Sequence, residues 1–248
     1  MRRNMAYTDY IYIASCVFTR NYPELSVRIQ EYLRKRFNMQ IIRCCVPNYK
    51  IQELENSIPE SVRSEWKRIP PYKEFSNKNR MVYICHNCSA IFLETKPDVK
   101  IISLWEIILD DKKFPYADYS HENVTVQDCW RSYDNRVEQD AVRLLLNKMN
   151  VDIVEMKENY EKTQFCGVSI YQPAPERNLK LAPKRFVENA AGKFISRTEE
   201  EQLELMKKHC QEVVTDKVVA YCHYCAKGLQ LGGKNVKHLA ELLFPSER

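Results

Sequence analysis

The sequence predicts an α/β protein made of two duplicated α/β lobes with cysteines at the strand ends. Three observations lead there. Short β-rich apolar runs alternate with amphipathic segments along the chain. Most of those runs lead into a cysteine. The order then recurs: Cys85-His86-Asn87-Cys88 lies 137 residues before Cys222-His223-Tyr224-Cys225, and Leu104-Trp105-Glu106 lies 135 residues before Leu239-Ala240-Glu241. A nearly constant offset of this kind signals internal duplication.

In the first half, residues 10–15 form an apolar strand leading to Cys16. Residues 23–37 place Leu25, Ile29, Tyr32, Leu33 and Phe37 at helical spacing, with Pro23 and Glu24 suited to the first turn. A strand at 39–42 runs to Cys44-Cys45, where Pro47 stops regular structure. Residues 51–69 read as one helix ending at Pro70-Pro71, and 81–84 as a strand ending at Cys85. A further strand, 99–102, meets Ser103 and Glu106, a capping box that opens a short helix.

The second half follows the same plan. A strand at 124–126 leads to Cys129, and a helix from 138 to 149 buries Ala141, Leu144, Leu145 and Met149. A strand at 151–154 passes through a polar turn to Cys166-Gly167. Residues 171–184, punctuated by Pro173, Pro175 and Pro183, read as a loop. Thr198 and Glu201 open a helix to about Cys210, a strand at 217–221 reaches Cys222, and a helix closes the chain at 238–244. The lobes are expected at residues 1–112 and 120–248, joined around Phe114-Pro115.

Composition limits the function classes. With 248 residues, 44% hydrophobic and 29% charged, the chain can bury a full core and is not a disordered polymer. No run reaches the ~20 apolar residues of a membrane helix, and the Met1-Arg2-Arg3-Asn4-Met5 start has no small-residue cleavage site after it. A cytoplasmic protein without a membrane span is expected. The excess of 38 Lys+Arg over 33 Asp+Glu has no dominant basic block, so nucleic acid is not called for. Ten cysteines in a reducing compartment then point to metal or redox chemistry rather than disulfides.

Loops at the carboxyl ends of strands are where open α/β sheets place ligands. The first half offers Cys16, Cys44, Cys45, Cys85 and Cys88 there, and the second Cys129, Cys166, Cys222 and Cys225. Soft thiolates converging in this way suit iron–sulfur clusters or zinc. A dithiol redox pair is a weaker reading, because such pairs open a helix in a thioredoxin-like setting not evident here and would leave the other cysteines unexplained. One zinc shared by both Cys-x-x-Cys pairs would have to bridge far more chain than a zinc ribbon does. Burial as small hydrophobes accounts for one or two thiols, and Cys210, without a counterpart in the first half, is assigned to core packing.

The doubled order resembles the cysteine-rich CCG-domain family, most familiar from the cysteine-rich iron–sulfur subunit of heterodisulfide reductase; related duplicated domains occur in iron–sulfur subunits of glycolate and lactate oxidation systems. The family half-motif is Cys, a few tens of residues, Cys-Cys-Gly, as many again, then Cys-x-x-Cys. Here 27 residues separate Cys16 from Cys44, and 39 separate Cys45 from Cys85. In the second half the intervals are 36, from Cys129 to Cys166, and 55, from Cys166 to Cys222. The resemblance implies a noncubane [4Fe-4S] cluster in each CCG-like lobe, with both facing a shared cavity where a disulfide is split. Carried over residue by residue, it makes Cys16, Cys44, Cys45, Cys85 and Cys88 a complete ligand set. Cys129, Cys166, Cys222 and Cys225 lack one thiol, because Phe165 stands where the first cysteine of the pair belongs. In the first half Val46-Pro47 replaces the glycine. The N-terminal lobe is therefore expected to hold a noncubane [4Fe-4S] cluster, and the C-terminal lobe a second [4Fe-4S] cluster or zinc.

Near these cysteines, His86 and His223 occupy equivalent places and either hydrogen-bond a cluster sulfur or point to solvent. Arg131, two residues after Cys129, either meets an anionic substrate group or lies on the surface. Asp128 and His121 receive no role. The resemblance implies an oxidoreductase subunit reducing a disulfide or related small-molecule acceptor. With no Gly-x-Gly-x-x-Gly and no ferredoxin-type cysteine run, its electrons would come from an iron–sulfur or flavin partner subunit in a hetero-oligomer. The alternative is a non-catalytic, zinc-stabilised scaffold or assembly module.

Overall fold

The computed structural model describes residues 7–47 and 49–245, so the expectation for residues 1–5 falls outside it. The chain divides into two compact units, 1–104 and 105–248. Each is α/β, as the sequence predicts, and its sheet is four-stranded and fully parallel.

The first unit opens with β1 (Tyr10–Ala14), whose five residues are all buried. An apolar run covered on both faces is what a central parallel strand requires. Ser15 then accepts a hydrogen bond from the Phe18 amide and caps α1 (Cys16–Asn21), a short helix that periodicity alone does not reveal. In α2 (Pro23–Phe37) proline occupies the first turn, Leu25, Ile29 and Leu33 are buried, and left-handed Asn38 ends the helix. After β2 (Gln40–Arg43), the stretch expected as one helix is two: α3 (Ile51–Ser57) and α4 (Glu60–Arg68). Pro59 causes the break, because it lacks an amide donor and holds Ile58 extended (φ −111°, ψ 152°). Leu54, Val62 and Trp66 are buried on either side of it. Then follow β3 (Arg80–Tyr83), α5 (His86–Thr95) and β4 (Lys100–Ser103); α6 (Leu104–Asp110) starts on the last residue of the first unit and belongs to the second from Trp105 onward.

The second unit begins its sheet with β5 (Glu122–Gln127), followed by α7 (Arg136–Lys148), where Asn135 caps the Glu138 amide, and β6 (Val151–Val154). The stretch expected as a loop contains α8 (Glu176–Leu181). Its prolines bound the helix, Pro175 at the cap and Pro183 beyond the end, and so leave its interior hydrogen bonds intact. The predicted capping box of Thr198 and Glu201 starts α9 (Glu199–Cys210). After β7 (Lys217–Ala220) come α10 (His223–Leu231), β8 (Asn235–His238) and α11 (Leu239–Leu243). The strand β8 is not expected from the sequence; it is a four-residue edge strand with only Val236 and His238 buried.

The two sheets share one topology, β2-β1-β3-β4 and β6-β5-β7-β8. In each, the chain crosses one way from the central strand and the other way to the third, so β1/β3 and β5/β7 flank a switch point. Crevices at the carboxyl ends of such strands are ligand sites. The carboxyl ends of β1, β2, β3, β5 and β7 lead directly to Cys16, Cys44, Cys85, Cys129 and Cys222. Among the described residues no helix is long and apolar enough to cross a membrane.

Candidate metal centre

In the second unit, three separate segments deliver four sulfurs to one point. Cys129 follows β5, Cys166 arrives through the loop after β6, and Cys222 and Cys225 stand at the cap and first turn of α10. All four are buried, and their Sγ atoms lie within 4.8 Å of one another. Cys129 Sγ is 3.2 Å from Cys166 Sγ, which is 3.9 Å from Cys222 Sγ. The Trp130 amide donates to the Phe165 carbonyl at 2.9 Å and ties two of the segments together beside the sulfurs. Such a group can hold a metal ion.

Gly167 explains how the Cys166 loop comes this close. Its φ is +58°, and a Cβ there would sit 1.8 Å from the Tyr224 carbonyl oxygen, while one on Gly228 would sit 2.4 Å from the Gly167 Cα. Backbone therefore packs directly on the α10 turn that carries Cys225. Gly167→Ala combines a left-handed penalty of about 1–2 kcal/mol with overpacking of about 1–3 kcal/mol, so a loss of about 2–5 kcal/mol is expected. Denaturant titration measures it; Gly192→Ala, which meets no atom within 4 Å, serves as the control for left-handed strain alone.

Arg131 is buried rather than on the surface. Its Nη1 donates to Cys166 Sγ and, at 3.0 Å, to Ser169 Oγ. Burial opposes the guanidinium charge, but the sulfurs of Cys166 and Cys129 more than offset it, so the side chain is held firmly charged. Burial likewise opposes ionisation of Cys166. Hydrogen bonds with Cys129 and Cys225 and the Arg131 charge outweigh it, and the Cys166 pKa is lowered. Burial drives Cys129 and Cys225 the other way. Cys166 is thus the sulfur that the arginine favours as a thiolate.

Phe165 stacks on His209, with ring centroids 3.8 Å apart and planes 6° from parallel. His209 Nε2 lies 2.6 Å from Gln127 Oε1, and Gln127 Nε2 donates to the Asp128 carbonyl. Because Gln127 presents its oxygen, His209 must donate from Nε2. Burial pushes His209 down to about 4, which keeps it neutral. The residue in the missing thiol's place therefore belongs to a packed aromatic chain beside the sulfurs. No periodicity announces that pairing, since Phe165 and His209 lie on different elements far apart in sequence.

Asp128 is fully buried and forks onto Arg143, at 2.9 and 2.7 Å. It also accepts from Tyr221 Oη at 2.8 Å and the Tyr160 amide at 2.7 Å. Arg143 reaches on to Glu155 at 2.6 and 2.8 Å. This network fixes the strand end that precedes Cys129. His121, by contrast, is exposed and pairs with Asp152 at 3.1 Å.

The first unit arranges its thiols differently. The Cys44 pKa is raised by its hydrogen bond with Cys16 and then by burial, whereas that of Cys88 is raised by hydrogen bonds with Cys45 and Cys85. Among the described residues the five sulfurs do not close into one compact group like that of the second unit. Cys16 is only partly buried, while the other four are buried. Cys44 is left-handed at φ +59°, and a turn follows at Pro47, where regular structure is expected to stop.

Both Cys-x-x-Cys pairs do open helices, with Cys85 and Cys222 as caps of α5 and α10. This corrects the expectation that they lack a helical setting. His86 and His223 are buried too, so neither points to solvent. Cys210 packs in the core with Sγ 3.6 Å from the Leu229 carbonyl oxygen.

No family model matches the chain, and no curated protein matches it. Among solved structures it is similar to a glutamate racemase from Bacillus anthracis, at 12% identity and a TM-score of 0.32, covering 96% of this chain and 79% of that one. A likeness of that size carries no argument about function.

Proposed function

We propose that the chain is a thiolate metalloprotein with divided labour: a closed single-ion site in the second lobe and an iron–sulfur redox centre in the first. The observation that carries the metal reading is the set of four buried sulfurs within 4.8 Å. Around one zinc, with Zn–S of about 2.3 Å, tetrahedral thiolates stand about 3.8 Å apart. The 3.2 and 3.9 Å separations bracket that value. Cysteines of a cubane cluster bind different irons at its corners and must stand farther apart. A site closed on all sides by four protein ligands is structural in character, since catalytic zinc keeps an open position.

Redox chemistry then belongs to the first lobe, where Cys16 is the partly exposed thiol. Cys16, Cys44, Cys45, Cys85 and Cys88 would hold the [4Fe-4S] cluster that the resemblance to heterodisulfide reductase implies. That cluster, when bound, supplies one-electron transfer to a disulfide or related acceptor, with electrons drawn from an iron–sulfur or flavin partner. The chain's own part is to supply the thiolates and to keep most of them from water. Wholly zinc-based scaffolding is the competing reading, and the closed second site favours it to the extent that the first lobe also lacks iron.

Anaerobic purification with iron, sulfide and zinc analysis tests the pair. Iron and acid-labile sulfide in equal amounts, together with zinc that Cys222→Ser removes, are expected. A colourless protein holding zinc alone after anaerobic reconstitution would sink the redox half. Cys45→Ser is expected to alter the EPR signal strongly and Cys210→Ser to leave it unchanged; equal effects would count against the five-thiol centre.

A further inference from the structure

Arg131 does more than pack. Four thiolates around a divalent ion leave two excess negative charges in a buried site, where uncompensated charge is expensive. The guanidinium lies against Cys166 Sγ with Ser169 Oγ fixing the same Nη1 at 3.0 Å. Ser169 in turn donates to the Cys166 carbonyl at 2.7 Å, so cation and ligand share one small hydrogen-bonded loop. Three rings enclose the other side: Tyr224 at 4.9 Å, Phe194 at 5.5 Å and Phe186 at 5.7 Å from the guanidinium carbon. Aromatic faces attract a cation while keeping water away. No carboxylate hydrogen-bonds to Arg131 among the described residues, unlike Arg143, which has Asp128 and Glu155, and Arg185, which has Asp134. The sulfurs are its anion.

The duplication supplies an internal comparison. Counting two residues past the cysteine that follows the central strand gives Arg131 in the second lobe and Phe18, fully buried, in the first. The cation is thus particular to the four-thiol site. The second lobe places a charge on Cys166 that the first lobe does not place at the matching position.

We propose that Arg131 is a positioning residue for the second-lobe metal: its caged charge offsets the thiolate set through Cys166 and so sets how tightly that site holds a divalent ion. The inference rests on the metal reading above. Outer partners of metal ligands commonly contribute 10–100-fold in affinity, and a caged charge on the ligand itself belongs in that range.

The test uses the full chain, prepared anaerobically and metal-free, titrated with Co(II) and then with Zn(II) against a competing chelator. Site-specific binding is the part of the thiolate charge-transfer absorption that Cys222→Ser abolishes. If wild type and Cys222→Ser bind identically, the metal reading itself fails. If wild type shows the site, Arg131→Gln is expected to weaken it by about 10–100-fold. Arg131→Lys, which keeps the charge without the fork, should lie between the two, and Ser169→Ala should weaken binding less than Arg131→Gln. Because a packing defect would also lower stability without metal, denaturant midpoints of the metal-free variants are measured alongside. Arg131→Gln binding within about twofold of wild type would overturn the proposal, as would Lys and Gln variants that are equally weak. Should Arg131→Gln not fold, Ser169→Ala decides: unchanged affinity in that variant counts against the proposal.

Discussion

Asp128→Ala is expected to destabilise the second lobe by about 3–5 kcal/mol, the range for removing one partner of a buried ion pair. The effect is large because the carboxylate serves three donors at once. It neutralises Arg143, accepts the Tyr221 hydroxyl and receives the Tyr160 amide. Removing it leaves the buried Arg143 cation with Glu155, whose side chain is 36% exposed, as its one ion-paired carboxylate among the described residues, and takes the Asp128 acceptor away from the buried Tyr221 phenol. Arg143→Met should also destabilise, since Asp128 then has no countercharge. The double variant Asp128→Ala/Arg143→Met should lose less than the sum of the singles by about 0.5–3 kcal/mol, because the unpaired charge is gone. Denaturant unfolding of the four proteins gives the cycle. A single-variant loss below about 0.5 kcal/mol, the level of an ordinary surface change, would mean the network contributes nothing.

That network also marks where sequence reasoning ran out. The strands and the capped helices were legible because they rest on local rules: β1 as an apolar run, α2 as a 3.6-residue stripe behind Pro23, and α9 as a capping box. Legible too was the clustering of cysteines at strand ends, since a repeated order constrains topology. What stayed hidden depends on pairings between distant residues. Asp128 meets Arg143 and Tyr221 across 15 and 93 positions, and Phe165 meets His209 from another element. Whether Arg131 meets an anionic group or lies on the surface is not decided by its sequence neighbours, because nothing local reports that three rings and a sulfur surround it. The helices α5 and α10 escaped notice for another reason. In α5 the seven residues from His86 to Phe92 are all buried, so no amphipathic stripe distinguishes it, and α10 has no side-chain cap to mark its start.

On the metal reading proposed above, adding a chelator for the second-lobe site, or replacing Cys222 with serine, is expected to have the largest effect of all. The sulfurs join segments separated by 37 residues (Cys129 to Cys166) and 56 residues (Cys166 to Cys222). Closing loops of that size costs the unfolded chain about 3–5 kcal/mol each on the disulfide scale, and structural zinc in small domains supplies about 10–16 kcal/mol of apparent binding energy. Beside the site, Gly167 packs backbone on backbone against the α10 turn and adds no side chain of its own to that contact. Amide hydrogen exchange should therefore rise first in residues 165–171 and in the first turn of α10, then through the rest of the second lobe. A chelator added to Cys222→Ser should do nothing more in that lobe, because both perturbations remove the same ion and their effects cannot add. Cys210→Ser, whose sulfur packs against the Leu229 carbonyl and not with the four, should respond to chelator as wild type does. If exchange in the second lobe is the same with and without chelator, the four sulfurs are only a packed core, and the Arg131 charge beside Cys166 has no metal-bound thiolate set to offset.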